Sequence, residues 1–311
     1  MTFPVIDILV ENFPQAEVSV VVGPKGKSLF RDNIYFKNVY VFDKRQALKD
    51  TLSWICELRK QKFDLVVDLR NSATPFFLSP RYRTSFRMKK VQNMHMREKH
   101  LRHLRSIYDY PSLAKKRYAM YFPQDTQQKV QNLIRQEVGE NRKFIVIAPG
   151  AADGRKRWTE EGYAEVGEVL SSKYGYKIVF VGDQNDFEVV QHITQKMRTP
   201  AVNLCGRTDL MELAAILEKC HLAIMNDSAP MHLASYLNKS VLTIFGPTDP
   251  VKYGPWSSHC CYLKSPSTSN QEKATPPLPI SSITSQQVLG VIRIEDDKII
   301  FTKEHEYSQY V

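Results

Sequence analysis

Hydrophobic and polar positions alternate regularly along most of the chain from residue 143 onward. Short apolar runs, typical of buried parallel strands, stand at 143–148, 176–181, 201–205, 221–225 and 240–245. Stretches with helical spacing of apolar residues separate several of these runs, at 186–197, 210–219 and 231–237. Because parallel neighbours need crossover connections, the alternation predicts an α/β fold with a doubly wound parallel sheet.

The first 123 residues repeat this alternation with shorter elements. The pattern predicts a helix at 5–12, strands at 17–22, 38–42 and 63–69, and an amphipathic helix at 45–61. We therefore predict two α/β domains, joined by a linker at 110–123 and a helix at 127–138. The predicted bounds are 1–123 for the first domain, 124–294 for the second with a surface loop at 265–279 and a capped terminal helix at 281–292, and 295–311 for a mobile charged tail.

Polar residues with ligand chemistry follow the predicted strand at 221–225, in the stretch Asn226-Asp227-Ser228-Ala229-Pro230-Met231-His232. Asp227 and Ser228 are of types that cap helices, and a helix over 231–237 would point its positive end beyond the sheet. That end suits an anion, flanked by Asp227 and His232. Helix capping alone explains Asp227 and Ser228 equally well when the segment is considered by itself.

A second polar cluster follows the predicted strand at 143–148. A Pro149-Gly150 turn leads into three consecutive cations, Arg155, Lys156 and Arg157, and Thr159 predicts the capped start of a helix. A basic triplet is most often solvated surface. Here it stands at the carboxyl end of a predicted parallel strand, where such sheets bind ligands, and this position favours a diphosphate site.

Composition excludes several other classes of protein. The 311 residues are 42% hydrophobic and 24% charged, as in globular proteins, and no run is long enough to span a bilayer. The N-terminal residues lack the pattern of an export signal, so we predict a cytoplasmic protein. The five cysteines lack metal-ligand spacing and an evident pairing, which predicts reduced thiols and no metal site.

The formal net charge of +10 predicts an anionic partner. Nine cations and a single acid, Glu98, fall between Arg81 and Arg105. Such a run is either inert solvated surface or a binding face for an anionic substrate or membrane. A nucleic acid is the third alternative, since Tyr82 and Phe86 could stack on bases. No nucleic-acid recognition motif is present, so we predict no nucleic-acid partner.

Six motifs, taken together, resemble those of glycosyltransferase family nine, the lipopolysaccharide heptosyltransferases. They are Pro149-Gly150, Lys156-Arg157-Trp158, Val181-Gly182-Asp183, Cys205-Gly206-Arg207-Thr208, the stretch from Asn226 to His232, and Phe245-Gly246-Pro247-Thr248-Asp249-Pro250. The resemblance is strongest over 144–256 and looser over 4–105. It implies a GT-B architecture, in which two Rossmann-like domains face each other across a cleft. It also implies inverting, metal-independent transfer of heptose from ADP-heptose to lipid A-Kdo or inner-core lipopolysaccharide, with no cofactor.

The resemblance implies roles for residues at matching positions. Lys156 would contact the donor diphosphate, and Asp227 would lie beside the donor sugar. One position departs from the family, which usually has glycine where this chain has Ala229, and a Cβ there would crowd a phosphate. The remaining implied donor residues are Ser228, Ala229 and His232 in the same pocket, Asp186 or Glu188 at the ribose, and Thr208 near the adenine.

For the acceptor, the resemblance places the basic segment in the first domain. Arg97, Arg102 and Arg105 would meet Kdo carboxylates, lipid A phosphates or the anionic leaflet. We therefore expect a protein peripheral to the inner face of the cytoplasmic membrane.

The opening of the chain departs from the family pattern, in which a strand and a Gly-Asp loop precede a segment resembling Thr2-Phe3-Pro4-Val5-Ile6. The resemblance therefore predicts that the first strand and its general-base aspartate are missing, that Asp7 is not the equivalent of that base, and that Asp68 is the fallback. Two alternatives to the heptosyltransferase follow. One is a catalytically degenerate protein that binds nucleotide sugars, and the other is a transferase for another sugar nucleotide.

Overall fold

The computed structural model describes residues 1–85, 93–265, 279–296 and 298–302. These divide between two compact units, Met1–Tyr121 and Phe122–Val311. The elements of the first unit are α1 (Phe3–Asn12), β1 (Ser19–Val22), β2 (Asn38–Val41), α2 (Leu48–Lys60), β3 (Leu65–Val66), α3 (Thr74–Leu78), β4 (Tyr82–Arg83) and α4 (Met96–Arg105).

The second unit is built on a parallel sheet flanked by helices. Its elements are α5 (Gln124–Glu137), β5 (Phe144–Ala148), α6 (Glu160–Ser172), β6 (Lys177–Phe180), α7 (Phe187–Lys196), β7 (Val202–Asn203), α8 (Leu210–Lys219), β8 (Leu222–Asn226), α9 (Ala229–Tyr236), β9 (Val241–Phe245), α10 (Pro250–Tyr253), β10 (Cys260–Lys264), α11 (Ser285–Gly290), β11 (Ile292–Glu295) and β12 (Lys298–Phe301).

The strand order of the second sheet confirms the doubly wound prediction. Six strands run parallel in the order β10-β9-β8-β5-β6-β7. The chain winds outward from β5 through β6 and β7, and then returns to place β8, β9 and β10 on the other side. The direction of winding therefore reverses between β5 and β8, and this switch point is where open α/β sheets form a ligand crevice.

Almost wholly apolar sequences explain why the middle of this sheet forms the core of the second unit. Every residue of β5, β8 and β9 is buried, as expected for parallel strands covered on both faces. Helices α6, α7 and α11 contribute to the same cluster through Tyr163, Val166, Leu170, Val190, Ile193 and Val288. The edge strand β10 is absent from the sequence prediction. Its last three residues, Tyr262 to Lys264, are half-buried or exposed.

The C-terminal region of the second unit differs from its prediction. The terminal helix α11 is shorter than 281–292, starts at a capping box of Thr284 and Gln287, and packs on α6 of the same unit. Strands β11 and β12 then form an antiparallel hairpin that begins at the end of the predicted helix and extends into the predicted tail. Ile292 and Phe301, which pair across this hairpin, are both buried in the core of the second unit. The rest of the tail, 303–311, and most of the predicted loop at 265–279 lie outside the described residues.

The first unit contains two separate parallel pairs, β1 with β2 and β3 with β4. Val20 is the one buried residue within these four strands. The core of this unit lies instead between α1 and α4, where Val5 and Ile8 pack on Leu101 and Leu104.

Asp7 lies on α1 and has a structural role. Its buried carboxylate accepts hydrogen bonds from the Tyr118 and Ala119 N–H groups, at 2.8 and 2.7 Å. These bonds hold the segment predicted as a linker against α1. The segment, all of which the structure describes up to residue 123, contains no helix or strand, but its residues Tyr110, Ala119 and Met120 are buried. It is therefore packed into the first unit.

Candidate functional site

Lys156 and Asp227 meet at the carboxyl edge of the second sheet. Lys156 follows β5 and Asp227 follows β8, which are the strands on either side of the switch point. Lys156 Nζ lies 2.7 Å from Asp227 Oδ2, and the two side chains are 27% and 7% exposed. The structure thus brings together the two residues predicted for the donor diphosphate and sugar, in the crevice where such sheets bind ligands.

The buried amide of Asn226 fixes the geometry of this pair. Asn226 is the last residue of β8 and is fully buried. Its Nδ2 donates to the Pro149 carbonyl at 2.6 Å, and its Oδ1 accepts from the Trp158 N–H at 3.2 Å. Pro149 and Trp158 flank the loop that carries Lys156. One side chain therefore holds both ends of that loop against β8, next to Asp227.

The three cations of this loop face different partners. The Asp153 carboxylate accepts from the Arg155 N–H and pairs with its guanidinium at 2.7 Å, and these bonds lower the pKa of Asp153 to about 2. Arg157 Nε donates to the Ala151 carbonyl at 2.8 Å. Lys156 is the member of the three that pairs with Asp227. The geometry thus singles out Lys156 from the predicted cluster of three diphosphate contacts.

Asp186, one of the two alternatives for the ribose contact, makes its contacts with two loops of the second unit. Its side chain accepts from the Asp183 N–H at 3.1 Å, in a capping box. A Cβ added at Gly150 or Gly182 would collide with its carboxylate. Burial raises the pKa of Asp186. The other alternative, Glu188, is exposed in the first turn of α7.

Thr208 follows β7, two strands away from β5 in the sheet. The turn before it contains Gly206 at a φ of 73°, in the left-handed region that favours glycine. The Gly206 N–H donates to the Gly182 carbonyl at 3.1 Å, which ties this turn to the loop after β6. Thr208 is half-buried at the same edge of the sheet.

Helix α9 begins next to the Lys156–Asp227 pair and has no side-chain cap. Ser228 occupies the cap position but makes no capping bond, and its hydroxyl donates to the Asn226 carbonyl at 3.3 Å. The prediction that Asp227 or Ser228 caps α9 is therefore wrong, because the Asp227 carboxylate pairs with Lys156. Ala229 is exposed at the first position of α9. The ring of His232 stacks on Trp256, with centroids 5.6 Å apart.

In the first unit, Asp68 lies just beyond β3 and organises the loop that follows. Its Oδ1 accepts from the Arg70 N–H at 2.8 Å. Its Oδ2 accepts from the N–H and the hydroxyl of Ser72, at 2.6 and 2.7 Å. The carboxylate is half-buried, and these three bonds fix its orientation.

The three arginines predicted for the acceptor share helix α4 but differ in exposure. Arg102 and Arg105 are exposed, and the Arg105 guanidinium lies 4.5 Å from the centroid of the Tyr110 ring. The Arg97 side chain is 16% exposed, with Nη1 3.6 Å from the Glu98 carboxylate. The structure therefore presents Arg102 and Arg105 together, whereas Arg97 is largely covered. Residues 86–92 of the basic segment lie outside the described residues.

Two histidines on the inner side of α4 were not singled out from the sequence. His100 and His103 are buried, and burial lowers the pKa of both, that of His100 to about 4. Nε2 of His103 lies 3.2 Å from the Ser85 carbonyl. Their spacing of three residues, in step with Leu101 and Leu104, is the sequence signal for an inward-facing position.

Comparison with known proteins identifies the family. A sequence model described as "Glycosyltransferase family 9 (heptosyltransferase)" matches residues 52–278, more than two thirds of the chain. The chain belongs to glycosyltransferase family 9. It is 27% identical to lipopolysaccharide heptosyltransferase 3 of Escherichia coli over 286 residues, which cover 83% of each chain. It is also 33% identical to lipooligosaccharide heptosyltransferase 2 of Haemophilus ducreyi over 132 residues, which cover 40% of this chain and 38% of the relative.

Solved structures confirm the predicted GT-B fold class. The family 9 glycosyltransferase of Veillonella parvula superposes with a TM-score of 0.76 at 22% identity, covering 93% of this chain and 90% of its own. The ADP-heptose heptosyltransferase II of E. coli gives a TM-score of 0.73 at 21% identity, with 93% and 92% covered. The resemblance drawn from the motifs is therefore confirmed, and the protein is a glycosyltransferase by family.

Asn226 and Trp158 belong to the motifs quoted from the sequence, but no role was predicted for them, although they hold the loop that carries Lys156. Asp183 is exposed in the loop after β6, three residues beyond the strand. The available signal was its position, because polar residues at the carboxyl ends of neighbouring parallel strands converge on one edge.

Proposed function

We propose that this chain transfers heptose from ADP-heptose to the inner core of lipopolysaccharide, with inversion and without a metal or cofactor. The observation that carries the proposal is the Lys156–Asp227 pair at the switch point of the second sheet, beside the start of α9. The heptosyltransferases to which the chain is similar support the choice of heptose and of a lipopolysaccharide acceptor.

Lys156 and helix α9 supply the positive charge that a departing diphosphate requires. The Lys156 ammonium forms charge-assisted hydrogen bonds with phosphate oxygens, and the positive end of the α9 dipole faces the same space. Both groups are in place before the reaction, so they stabilise charge that develops on the leaving group. Before the donor binds, Asp227 holds Lys156 in position. When the diphosphate takes over that contact, the Asp227 carboxylate can accept hydrogen bonds from hydroxyls of the donor sugar.

The remaining donor contacts follow from the same edge of the sheet. Thr208 and the loop after β6 face the nucleoside side, where Glu188 is an exposed carboxylate suited to the ribose. Asp186 stabilises the loop after β6 by accepting a hydrogen bond from the Asp183 N–H. Ser228, Ala229 and His232 line the start of α9, and the Ala229 Cβ narrows the approach of a phosphate to the backbone.

In the transfer step, a hydroxyl of the acceptor attacks the anomeric carbon of the donor as the bond to the diphosphate oxygen breaks. Attack on the face opposite the leaving group inverts the configuration. The hydroxyl proton passes to a base, for which we propose Asp68. The Ser72 hydroxyl on Asp68 Oδ2 would turn away as the acceptor enters.

A transfer assay tests the proposed function. The full chain, incubated with ADP-heptose and a lipid A-Kdo acceptor, is expected to release ADP and to add the mass of one heptosyl residue to the acceptor. UDP-glucose in place of ADP-heptose should give no product. Binding of ADP without turnover would instead identify a degenerate homologue, and turnover with another sugar nucleotide would reassign the donor.

We further propose that the enzyme works on the cytoplasmic face of the inner membrane, in peripheral contact with anionic lipid. None of the helices in the described part of the chain is long and apolar enough to cross a bilayer. The exposed Arg102 and Arg105 on α4 support a contact with acceptor carboxylates and phosphates.

Replacing Arg97, Arg102 and Arg105 together by glutamine is expected to weaken cosedimentation with lipid A-containing vesicles while ADP affinity stays unchanged. Each cation near an anionic surface contributes about 1 kcal/mol of binding free energy. The matched control replaces three exposed cations around α2, Arg45, Lys49 and Arg59, by glutamine. It removes the same net charge from the same unit. Equal losses in both variants would show that only net charge matters and would remove the role assigned to α4.

A further inference from the structure

Helix α3 of the first unit presents two adjacent phenylalanine rings to solvent. Pro75 and Leu78, three positions apart, are buried and anchor this short helix. Phe76 and Phe77 lie between them and face outward, with 67% and 50% of their surfaces exposed. Single exposed apolar residues are ordinary, but contiguous exposed apolar surface marks an interaction site.

The strand that follows places positive charge beside these rings. The Arg83 guanidinium lies 5.5 Å from the centroid of the Phe76 ring, and the Arg81 guanidinium lies 5.2 Å from that of Tyr82. Tyr82 is itself 51% exposed.

The sequence around this charge carries no compensating acid. Residues 74–85 include no Asp or Glu. No ion pair within the described residues of the first unit involves Arg81 or Arg83. We call Phe76, Phe77, Arg81, Tyr82 and Arg83 the aromatic-arginine patch.

We propose that the aromatic-arginine patch docks on an anionic lipid bilayer. The phenyl rings of Phe76 and Phe77 enter the boundary between headgroups and acyl chains, where apolar side chains of peripheral proteins insert. Arg81 and Arg83 meet lipid phosphates, and Tyr82 places an amphipathic ring at headgroup level. This inference rests on and deepens the proposed function, because it names the surface that brings the enzyme to a lipid-linked acceptor.

The geometry favours a bilayer over the other partners that such a patch could bind. The Phe76 and Phe77 rings meet edge to face, at an interplanar angle of 84° with centroids 5.8 Å apart. Both rings cannot lie flat on successive bases, so the patch is a poor platform for single-stranded nucleic acid. A second copy of the chain would need about 800 Å² of buried surface per partner, which is more than three aromatic side chains supply. Insertion into a bilayer requires neither flatness nor a large area.

Vesicle binding by the full chain tests the proposal. Vesicles of phosphatidylethanolamine and phosphatidylglycerol are compared with vesicles of phosphatidylcholine. The double variant Phe76→Ser/Phe77→Ser is expected to bind the anionic vesicles roughly tenfold more weakly, since apolar burial and charge attraction are both needed for stable anchoring. Arg81→Gln/Arg83→Gln should lose the preference for anionic lipid and bind with a smaller dependence on salt.

A matched control comes from the second unit, where Lys173 lies over the ring of Tyr174 at 5.1 Å. The variant Lys173→Gln/Tyr174→Ser removes a comparable exposed pair of a cation and an aromatic ring, and vesicle binding should not change. A second readout uses the variant Phe77→Trp, whose indole fluorescence should shift to shorter wavelength and become protected from iodide on anionic vesicles. ADP affinity, measured for each variant, should equal that of the parent.

Parental vesicle binding by Phe76→Ser/Phe77→Ser, together with an unshifted indole emission from the Phe77→Trp variant, would overturn the proposal. Displacement of the vesicles by oligonucleotide, or loss of self-association in the serine variant, would also overturn it in favour of nucleic acid or a second copy. The result is separable from the proposed function. A parent protein that binds vesicles through the aromatic-arginine patch but fails to bind ADP would retain this inference and contradict the heptosyltransferase.

Discussion

Lys156→Ala is expected to weaken ADP binding by roughly 10- to 150-fold while the protein remains folded. The substitution removes a charge-assisted contact of about 1.5–3 kcal/mol, and each 1.4 kcal/mol corresponds to a tenfold change in affinity. It also leaves the Asp227 carboxylate, 7% exposed, without the ammonium group that lies 2.7 Å away. That uncompensated charge would repel a diphosphate. Titration calorimetry with ADP measures the effect directly.

The matched control for this variant is Lys129→Ala. Lys129 also pairs with a buried carboxylate of the second unit, because its Nζ lies 2.5 Å from Glu212 Oε1. This pair joins α5 to α8 and takes no part in the sheet edge. ADP affinity should therefore be unchanged in Lys129→Ala. Equal affinities for Lys156→Ala and the parent would remove Lys156 from the donor site.

Asn226→Ala is expected to lower the free energy of unfolding of the second unit by about 2–6 kcal/mol and to weaken ADP binding as well. Each buried polar group that loses its partner costs about 1–3 kcal/mol, and Asn226 satisfies both the Pro149 carbonyl and the Trp158 N–H. Without these bonds, both ends of the loop that carries Lys156 are released from β8. Urea unfolding followed by circular dichroism, with ADP calorimetry on the folded variant, measures the two effects.

Asn203→Ala serves as the control, since Asn203 also ends a parallel strand of the same sheet. Its Oδ1 accepts from the Cys205 N–H at 3.0 Å, but the side chain is half-buried and water can replace it. We expect a loss below about 1 kcal/mol. Similar losses of unfolding free energy in the Asn203 and Asn226 variants would show that Asn226 acts as an ordinary polar residue at a strand end. Asn226 would then not hold the loop that carries Lys156.

The second unit could be predicted from sequence because its pattern is unambiguous. The runs that form β5, β8 and β9 are apolar except for Asn226 and Thr243, and crossover helices between the strands make a parallel sheet the consistent arrangement. Polar residues at the strand ends then fall at one edge. This is why Lys156 and Asp227, 71 residues apart in sequence, could be predicted to share a site.

The finer structure of the site depends on contacts that a sequence pattern does not encode. Arg155 and Lys156 look equivalent in sequence, but Asp153 holds Arg155 within a short turn and leaves Lys156 to face Asp227. The bonds of Asn226 reach Trp158 and Pro149, which are 68 and 77 residues away. A cap was predicted at Ser228 from residue type, but the Ser228 hydroxyl donates to the Asn226 carbonyl and makes no capping bond.

The first unit was harder to predict because its strands lack the continuous apolar runs of the second. The strand expected at 63–69 is reduced to Leu65–Val66. Helix α4 was not predicted within the basic segment, because its buried face is only partly apolar and carries His100 and His103 beside Leu101 and Leu104. The basic composition of this segment suggested solvated surface, whereas the structure shows a helix with one buried face.

A crystal structure of the full chain with ADP tests whether the Lys156–Asp227 pair at the switch point is the donor diphosphate site. We predict a phosphate oxygen within about 2.7–3.2 Å of Lys156 Nζ, with the diphosphate at the start of α9. The adenosine should extend over the carboxyl ends of β6 and β7, toward Thr208. ADP bound elsewhere on the chain, with Lys156 still paired to Asp227, would show that this pair is not the diphosphate site.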